Sequence, residues 1–418
     1  MKRAVGVVVA LLLAAGLIWG ANFYWQHLRG IGPVLKGPPQ DISQLMAKAG
    51  EPGKSAPGNS PNTTGFPLKL PRGFNISIFA KDLGAPRVLA QDPGGALLAS
   101  IPSQGRVVAL LDKNKDGIAD YMVIVAQGLQ RPHGLAFRRE GGKTLLYIAE
   151  VEQLAVYDYD EKHHRAANKR KIADLPTGGR HWTRTMVFLP PPDGRLLISI
   201  GSSCDTCVEK DKRHATVQVT GPMGGGLKPF ATGLRNAVFM ALHPQTGQVW
   251  VTEMGRDFLG DDLPPDEINI LEEGKDYGWP YCYGKRIHDD KFDPAGAKKD
   301  FCQQTVPSYI DIPAHSAPLG LAFFPEQGWP PEYHHNLLVA YHGSWNRSVP
   351  TGYKVVRYKL DAQGKYLGVE DFITGWLTPD GRALGRPVDM VIQNNGVMYI
   401  SDDKAGVVYR VKYGDSNR

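Results

Sequence analysis

GLQRPHGLAF (Gly128–Phe137), a turn at Glu140–Lys143, TLLYIAEV (Thr144–Val151) and LAVYDYD (Leu154–Asp160) make one unit of a pattern that recurs along the chain. A lead-in rich in Gly and Pro comes first. An apolar strand, a polar turn with Gly and a second apolar strand follow, often with a third. Period-2 alternation bounded by turn residues reads as strands. Related lead-ins are GAPRVLAQD from Gly84, GRHWTRTMVF from Gly179, GLRNAVFMAL from Gly233, HSAPLGLAFF from His315 and GRPVDMVI from Gly385. Six copies, about 50 residues apart early and more widely spaced later, read as propeller blades. Each blade leaves a hydrophobic face that only its neighbours can cover, so the set closes into a ring. The expected fold is all-β: a six-bladed β-propeller over residues 73–418.

Composition agrees with that reading. The 418 residues include 48 Gly and 32 Pro, about 19% together against the roughly 12% of average usage. This suits short strands joined by tight turns and fits a helical bundle poorly. At 42% hydrophobic and 22% charged the chain can bury a core, and it is neither disordered, nor a long coiled coil, nor a polytopic membrane protein. The net charge of +6 is mild. The one basic run, KHHRAANKRK at Lys162–Lys171, reads as a solvated loop, so no nucleic-acid partner is expected.

Lys2 and Arg3 precede an apolar run from Ala4 to Trp25. It is longer than the apolar region of a secretory signal and lacks an A-x-A cleavage pattern, while Trp19, Tyr24 and Trp25 suit a membrane interface. Residues 1–25 therefore read as an uncleaved signal anchor or a signal peptide. Either leaves Lys2 and Arg3 in the cytoplasm and exports the rest to the periplasm; an anchor would tether it to the inner membrane. Residues 26–72, with eight prolines between Gly32 and Arg72, read as a linker. Asn62-Thr63-Thr64 matches a glycosylation acceptor, a triplet that is common by chance. The cysteines form two local pairs, Cys204/Cys207 and Cys282/Cys302. In an exported chain they suggest disulfides, with buried thiols the alternative. Val208 stands where covalent haem attachment requires His, and no second pair lies at zinc spacing.

In a propeller the lead-ins converge on one mouth of the central channel. Here they bring Arg131, His133, His181, Arg184, Arg235, Asn236, His315 and Arg386. So many cations and imidazoles in one place point to an anionic ligand. Wider spacing later in the chain implies insertions at Gly255–Tyr309 and Gln327–His335. DKNKDGIAD (Asp112–Asp120) alternates like the start of a calcium loop but lacks the closing Glu, and reads as a polar turn between two blades.

More specific strings are GGRHWTRTMVF (178–188), ISIGSSCDTC (198–207), GLRNAVFMALHP (233–244), VTEMGRD (251–257), DEINILEEGKDYGWPYCYG (266–284) and HGSWNRS (342–348). Together they resemble the soluble quinone-dependent sugar dehydrogenases, in particular the sorbosone-dehydrogenase-like branch, over roughly residues 70–415. The resemblance implies pyrroloquinoline quinone (PQQ) and Ca²⁺ as cofactors and an aldose or aldehyde sugar as substrate. It places the catalytic base at His181. Arg235 and Asn236 match a pair that contacts the quinone oxygens, and Arg386 one of two arginines on the cofactor carboxylates. The second of those is replaced by Val388, which Asn346 or Arg347 could offset. Trp345 could stack on the cofactor or pack in a loop. The calcium carbonyls match Gly255 and Arg256, where the glucose-oxidising members have proline at the second position. Asp266, Glu267 and Tyr277, within the insertion, match a second calcium region or form a satisfied turn.

The chemistry supports those types. Sugar oxidation needs a base near neutral pH, for which His is suited. It also needs a hydride acceptor, and a guanidinium stabilises charge developing on an oxygen. Electrons would pass on to a membrane quinone or a small cytochrome. A calcium-dependent lactonase on the same architecture would want carboxylate and amide ligands in the channel. A non-catalytic binding propeller would not need these strings together.

Overall fold

The computed structural model describes residues 2–36 and 61–414. Six sheets follow one another along the chain, each built on four antiparallel strands, with a short fifth strand added in parallel to the third sheet. Blade 1 holds Leu89–Gln91, Leu97–Ile101, Arg106–Leu111 and Tyr121–Gln127; blade 2, Leu135–Glu140, Lys143–Ala149, Gln153–Asp160 and Arg165–Asp174. Blade 3 holds Met186–Phe188, Leu196–Ile200, Thr216–Gly221 and Gly224–Thr232; blade 4, Ala237–Leu242, Val249–Glu253, Asp266–Ile270 and Ile310–Ile312. Blade 5 holds Pro318–Phe323, Leu337–Tyr341, Lys354–Leu360 and Tyr366–Ile373. Blade 6 takes Pro387–Ile392, Val397–Asp402 and Val407–Tyr413 from the C-terminus and its outer strand, Phe74–Ala80, from the start of the propeller. This pairing of first strand with last closes the ring. The expected six-bladed propeller is therefore found, and each lead-in precedes the first strand of its blade.

Those six first strands touch one another in order round the ring. The second strands are buried on both faces, as in Leu97–Ile101, Leu196–Ile200 and Leu337–Tyr341, so they read as continuous apolar runs. Burying one such Leu or Ile contributes roughly 1.5–3 kcal/mol. Hydroxyls and carboxylates stitch neighbouring blades: Thr252 Oγ1 donates to Leu319 O at 2.6 Å, and Asp389 Oδ2 accepts from Leu89 N at 2.8 Å. Burial pushes Asp389 and Asp266 up, each to about 7.

Several expectations need correction. Lys162–Lys171 is not a loop alone; most of it lies on the outer strand of blade 2, where exposed Lys and Arg guard a sheet edge. Asp112–Asp120 turns within blade 1, between its third and fourth strands, not between blades. Its acids accept backbone N–H groups, including Gly117 N on Asp112 at 2.9 Å. Asp266 and Glu267 lie on a blade strand, so the insertion proper begins after Ile270. It sends Lys275–Asp276 back to pair with Ala231–Thr232 of blade 3, and a disulfide joins Cys282 to Cys302. The second insertion packs Trp329 and Tyr333 against Phe74, Phe324 and Phe372. Residues 61–72 are not a linker: Phe66 and Leu68 are buried, and Asn62 Nδ2 donates to both their carbonyls at 2.7 and 3.0 Å. Residues 37–60 of the expected linker lie outside the described residues. A helix spans Lys2–Phe23, and Val5–Leu28 is long and apolar enough to cross a membrane.

Candidate active site

One mouth of the channel gathers side chains from the lead-ins and from the loops after each second strand. Ser202 follows the second strand of blade 3, and its Oγ–H donates to Cys204 O at 2.6 Å. That leaves Ser202 Oγ and Ser202 O as acceptors for His181 Nδ1, at 2.9 and 3.1 Å. A carbonyl can only accept, so the proton sits on Nδ1 and Nε2 keeps a free lone pair. Burial, then the Arg235 and Arg180 charges, hold His181 far below its usual range, to about 2, so it is a neutral base at any working pH. Gly201 makes the arrangement possible. A Cβ there would come within 2.6 Å of His181 Cβ and 2.7 Å of Asn236 Oδ1.

Arg235 is buried and fully spent. Nε donates to Asp205 O at 2.9 Å, and Nη1 to Gly255 O and Met254 O at 2.8 and 3.2 Å. Nη2 donates to Asp205 Oδ1 and Asp257 Oδ2 at 2.6 and 3.3 Å. A guanidinium has five N–H donors, and five acceptors take them. Arg235 thus places a fixed charge and has no donor left for a ligand, contrary to the contact role expected for it. Burial alone would raise Asp205, but Arg235 and Arg180 hold it below the usual range. Asp205 sits inside the Cys204–Cys207 disulfide loop, the second expected cysteine pair. One small loop therefore positions both His181, through Ser202, and Arg235. Asn236 contrasts with Arg235: its Oδ1 is buried without a partner and its Nδ2 has only Met254 Sδ, at 3.5 Å. An unmatched buried amide oxygen costs about 1–3 kcal/mol, which a ligand donor would offset.

Asn346 Nδ2 donates to Asp257 Oδ1 at 2.7 Å. Arg180, adjacent to His181, bonds Asp257 and lies 6.0 Å from the Trp345 ring. Trp345 stands half-buried, edge-on to Phe258 at 5.6 Å, so it packs yet keeps a face at the mouth. His315 Nε2 donates to Gly260 O at 2.8 Å. Arg347 turns outward, to Ala314 O and Asp262 at 3.2 and 3.0 Å, and does not join Arg386.

Across the mouth lies a second cluster. Arg386 donates to His342 O and Gly343 O at 2.9 and 2.7 Å. Arg87 bonds Asp403 and reaches His133 Nε2 at 3.3 Å. His342 Nε2 donates to Asp403 Oδ1 at 2.8 Å. Burial would raise Asp403, but His342, Arg87 and Arg386 pull it well below the usual carboxylate range. Burial and the Arg386 charge hold His342 at about 4. Burial keeps His133 neutral, bonded to Arg184 O at 3.2 Å, and Arg184 itself ties down Pro176 O, His181 O and Thr183 O. Arg131 and Arg87 lie 4.1 and 5.7 Å from the Trp182 ring. Arg87 and Arg386 thus act on Asp403, Asp402 beside it is raised by burial to about 6, and Arg131 adds an exposed third guanidinium over Trp182. Arg87 and Arg180 are site residues that the sequence pattern did not mark, although both stand in the quoted lead-ins. Their pairing with Asp403 and Asp257 is long-range and leaves no local signal.

The expected calcium residues behave differently from one another. Gly255 O keeps one lone pair beyond its bond from Arg235. The Arg256 side chain swings away to Asp289 at 2.8 Å, which removes its charge from the carbonyls. Asp266 spends its two oxygens on Gly255 N and Ala317 N, each at 2.9 Å. Glu267 spends its own on Gly284 N and Asn269 Nδ2, at 2.6 and 2.9 Å. Tyr277 OH donates to Ile270 O at 2.6 Å. These three do not converge as a ligand set: they are satisfied by hydrogen bonds, as the alternative expected, but Asp266 and Glu267 are so on a strand and not in a turn. Among the described residues, one group of three His, Cys, Asp or Glu atoms comes close enough for a metal, Cys204, Cys207 and Glu209, and its sulfurs are joined in the disulfide.

Residues 68–414 match the TrAA12-like family model. The chain belongs to the TrAA12-like family. A relative to this TrAA12-like protein, an uncharacterized protein of Borreliella burgdorferi, is 30% identical over 359 residues, covering 83% of this chain and 91% of the other. The pyrroloquinoline quinone-dependent pyranose dehydrogenase of Coprinopsis cinerea is 24% identical over 410 residues, covering 83% of this chain; the match spans about half, 55%, of the fungal enzyme. Its PQQ domain in the holo form superposes with a TM-score of 0.70 at 22% identity, over 83% of this chain and 97% of that one. The calcium structure of the Trichoderma reesei family AA12 enzyme gives 0.71 at 21% identity, over 86% and 100%. At these identities the TrAA12-like fold is what the superpositions show.

Proposed function

We propose that this chain is an exported PQQ-dependent dehydrogenase of an aldose or related aldehyde sugar, held at the membrane by its N-terminal helix. The observation that carries the reading is His181: a neutral base with a fixed tautomer and a free Nε2, packed on Gly201 together with the unmatched Asn236 amide. The family and the Coprinopsis relative support the cofactor class. The mouth fits an anionic, planar cofactor, because Arg87, Arg131 and Arg386 leave one side positive while Trp182 and Trp345 offer flat faces. When bound, the cofactor would supply the hydride acceptor. The chain does the rest. The positive side holds the carboxylates, with Arg87 and Arg131 standing in for the arginine replaced by Val388. Asn236 and Arg180 orient the reactive end, and His181 Nε2 takes the proton of the sugar hydroxyl. A calcium ion would rest on main-chain oxygens at Gly255 and Arg256 and draw its other ligands from the cofactor. A sorbosone-like substrate remains the finer proposal. The disulfides and the apolar helix support the exported location.

Reconstitution of purified apoprotein with PQQ and Ca²⁺, followed by dye reduction with a panel of sugars, tests this. Sugar-dependent dye reduction that needs PQQ is expected. Tight cofactor binding without turnover on any sugar would leave a binding propeller, and lactone hydrolysis without PQQ would favour the lactonase.

A further inference from the structure

The helix does not end clear of the propeller. Phe23 and His27, in its last turns, each lie 5.5 Å from the Phe258 ring, which in turn meets Trp345. The chain then crosses the mouth side of the ring. Gly30 lies so close to Arg347 O that a Cβ would come within 1.8 Å of it. Lys36 O accepts from Lys404 Nζ of blade 6 at 3.3 Å. The end of the helix is thereby fixed beside the mouth. If residues 5–28 cross a membrane, the mouth faces that membrane.

Between the helix end and the loop after Gly255 lies an open cleft of about 710 Å³, lined by Trp25, His27, Arg29, Arg256, Phe258 and Lys291 among others. Gln26 and Asp261 also line it, Asp261 accepting from Ser348 N at 2.8 Å and Arg256 remaining tied to Asp289, and the rest of the wall is of two kinds. Trp25 and Phe258 are flat and apolar; Arg29, Arg256 and Lys291 are cationic donors. His27 Nδ1 and Arg256 Nε are buried without partners, so the junction is not satisfied by its own contacts. The cleft is joined to the site by side chains in contact: Phe258 to Trp345, and Trp345 to Arg180 beside His181. A planar ring with carbonyl acceptors and an apolar tail matches such walls, and the helix end places the cleft at the depth where lipid-dissolved molecules arrive.

We infer that this cleft binds a membrane-dissolved quinone, which takes the electrons of sugar oxidation. The inference rests on the dehydrogenase reading above. The exchange balances: the sugar loses two hydrogens as a C–H and an O–H bond break, and the quinone gains two O–H bonds and leaves as quinol.

The test uses the full chain in detergent, without added cofactor. A short-chain azidoquinone is photolysed on the protein and the labelled peptides are identified by mass spectrometry. Label within residues 25–29 or 256–261, displaced by decylubiquinone, is expected. Label elsewhere, no displaceable label, or displacement by phosphatidylglycerol but not by decylubiquinone would overturn the proposal. The double variant Trp25→Ala, Lys291→Ala should weaken quinone binding and quinone reduction about tenfold while dye-coupled sugar oxidation stays within about twofold. Equal quinone reduction in variant and parent would also overturn it. Absence of sugar oxidation with dye in the parent would break the dehydrogenase reading alone, since labelling judges the cleft independently.

Discussion

The two sides of the channel mouth are both rich in arginine, yet they are built to opposite ends. On the blade 3 and blade 4 side, Arg180 and Arg235 meet Asp205 and Asp257, so two positive charges face two negative ones. Every N–H of Arg235 is used, and the product is a rigid frame around a neutral His181. On the other side, Arg87, Arg131 and Arg386 outnumber Asp402 and Asp403, and the hydrogen bonds of the Arg386 side chain go to carbonyl oxygens, so Asp403, shared with Arg87, offsets its charge only in part. A saturated, neutral cluster holds geometry; an under-compensated one attracts an anion. The first side should therefore set turnover and the second cofactor affinity.

The strongest way to break this division is His181→Ala. Removing a positioned base should lower kcat by about 10²–10⁴ while the apoprotein still binds PQQ, read from single-turnover kinetics beside a cofactor titration. Full turnover in that variant would reassign the base. Asp205→Asn comes next. It unties Arg235, and kcat should fall about 10–100-fold with the cofactor Kd changed by less than about threefold. Restored turnover in Asp205→Glu would mark the residue as a positioning one. Gly201→Ala pushes on both His181 and Asn236 and should cost about tenfold in kcat, with an unfolding midpoint lowered by the crowding. An unaltered kcat would show that the neighbours can yield.

The smallest effect concerns stability. The Asp389 carboxyl has a folded value of about 7 against an ordinary 3.8. The folded state therefore holds this proton more tightly than the unfolded one, so the group's contribution is greatest below the ordinary value and is lost as pH rises towards the folded one. Asp389→Asn should lower Tm at about pH 5, where it leaves one acceptor oxygen for the two N–H groups of Leu89 and Met390, and narrow the gap to the parent by about pH 8. A gap that widens with pH would contradict this.

Much of this was legible in the sequence because the signals are local. Each lead-in carries its own turn residues and apolar alternation, so six blades could be counted from Gly84 to Gly385, and His181 stands in an unusual string. The charge balance was not legible. Arg235 looks like a free cation until Asp205, 30 residues away, and Asp257, 22 away, are brought to it. Asp266 and Glu267 look like metal ligands until the backbone N–H groups they serve are seen. Alternation along DEINI also marks a strand, but the insertion around it drew it into a loop. Phe66 and Leu68 were hidden among prolines, and what buries them is the far end of the chain, Tyr409 in the case of Phe66.

The measurement that bears most directly on the division of the mouth is a PQQ titration of the apoprotein carrying Arg87→Ala and Arg131→Ala, paired with turnover at saturating cofactor. The expected result is a Kd raised at least about tenfold, a weaker dependence of Kd on salt, and kcat at saturation within about twofold of the parent. An unchanged Kd together with a collapsed kcat would contradict the assignment of affinity to one side and turnover to the other.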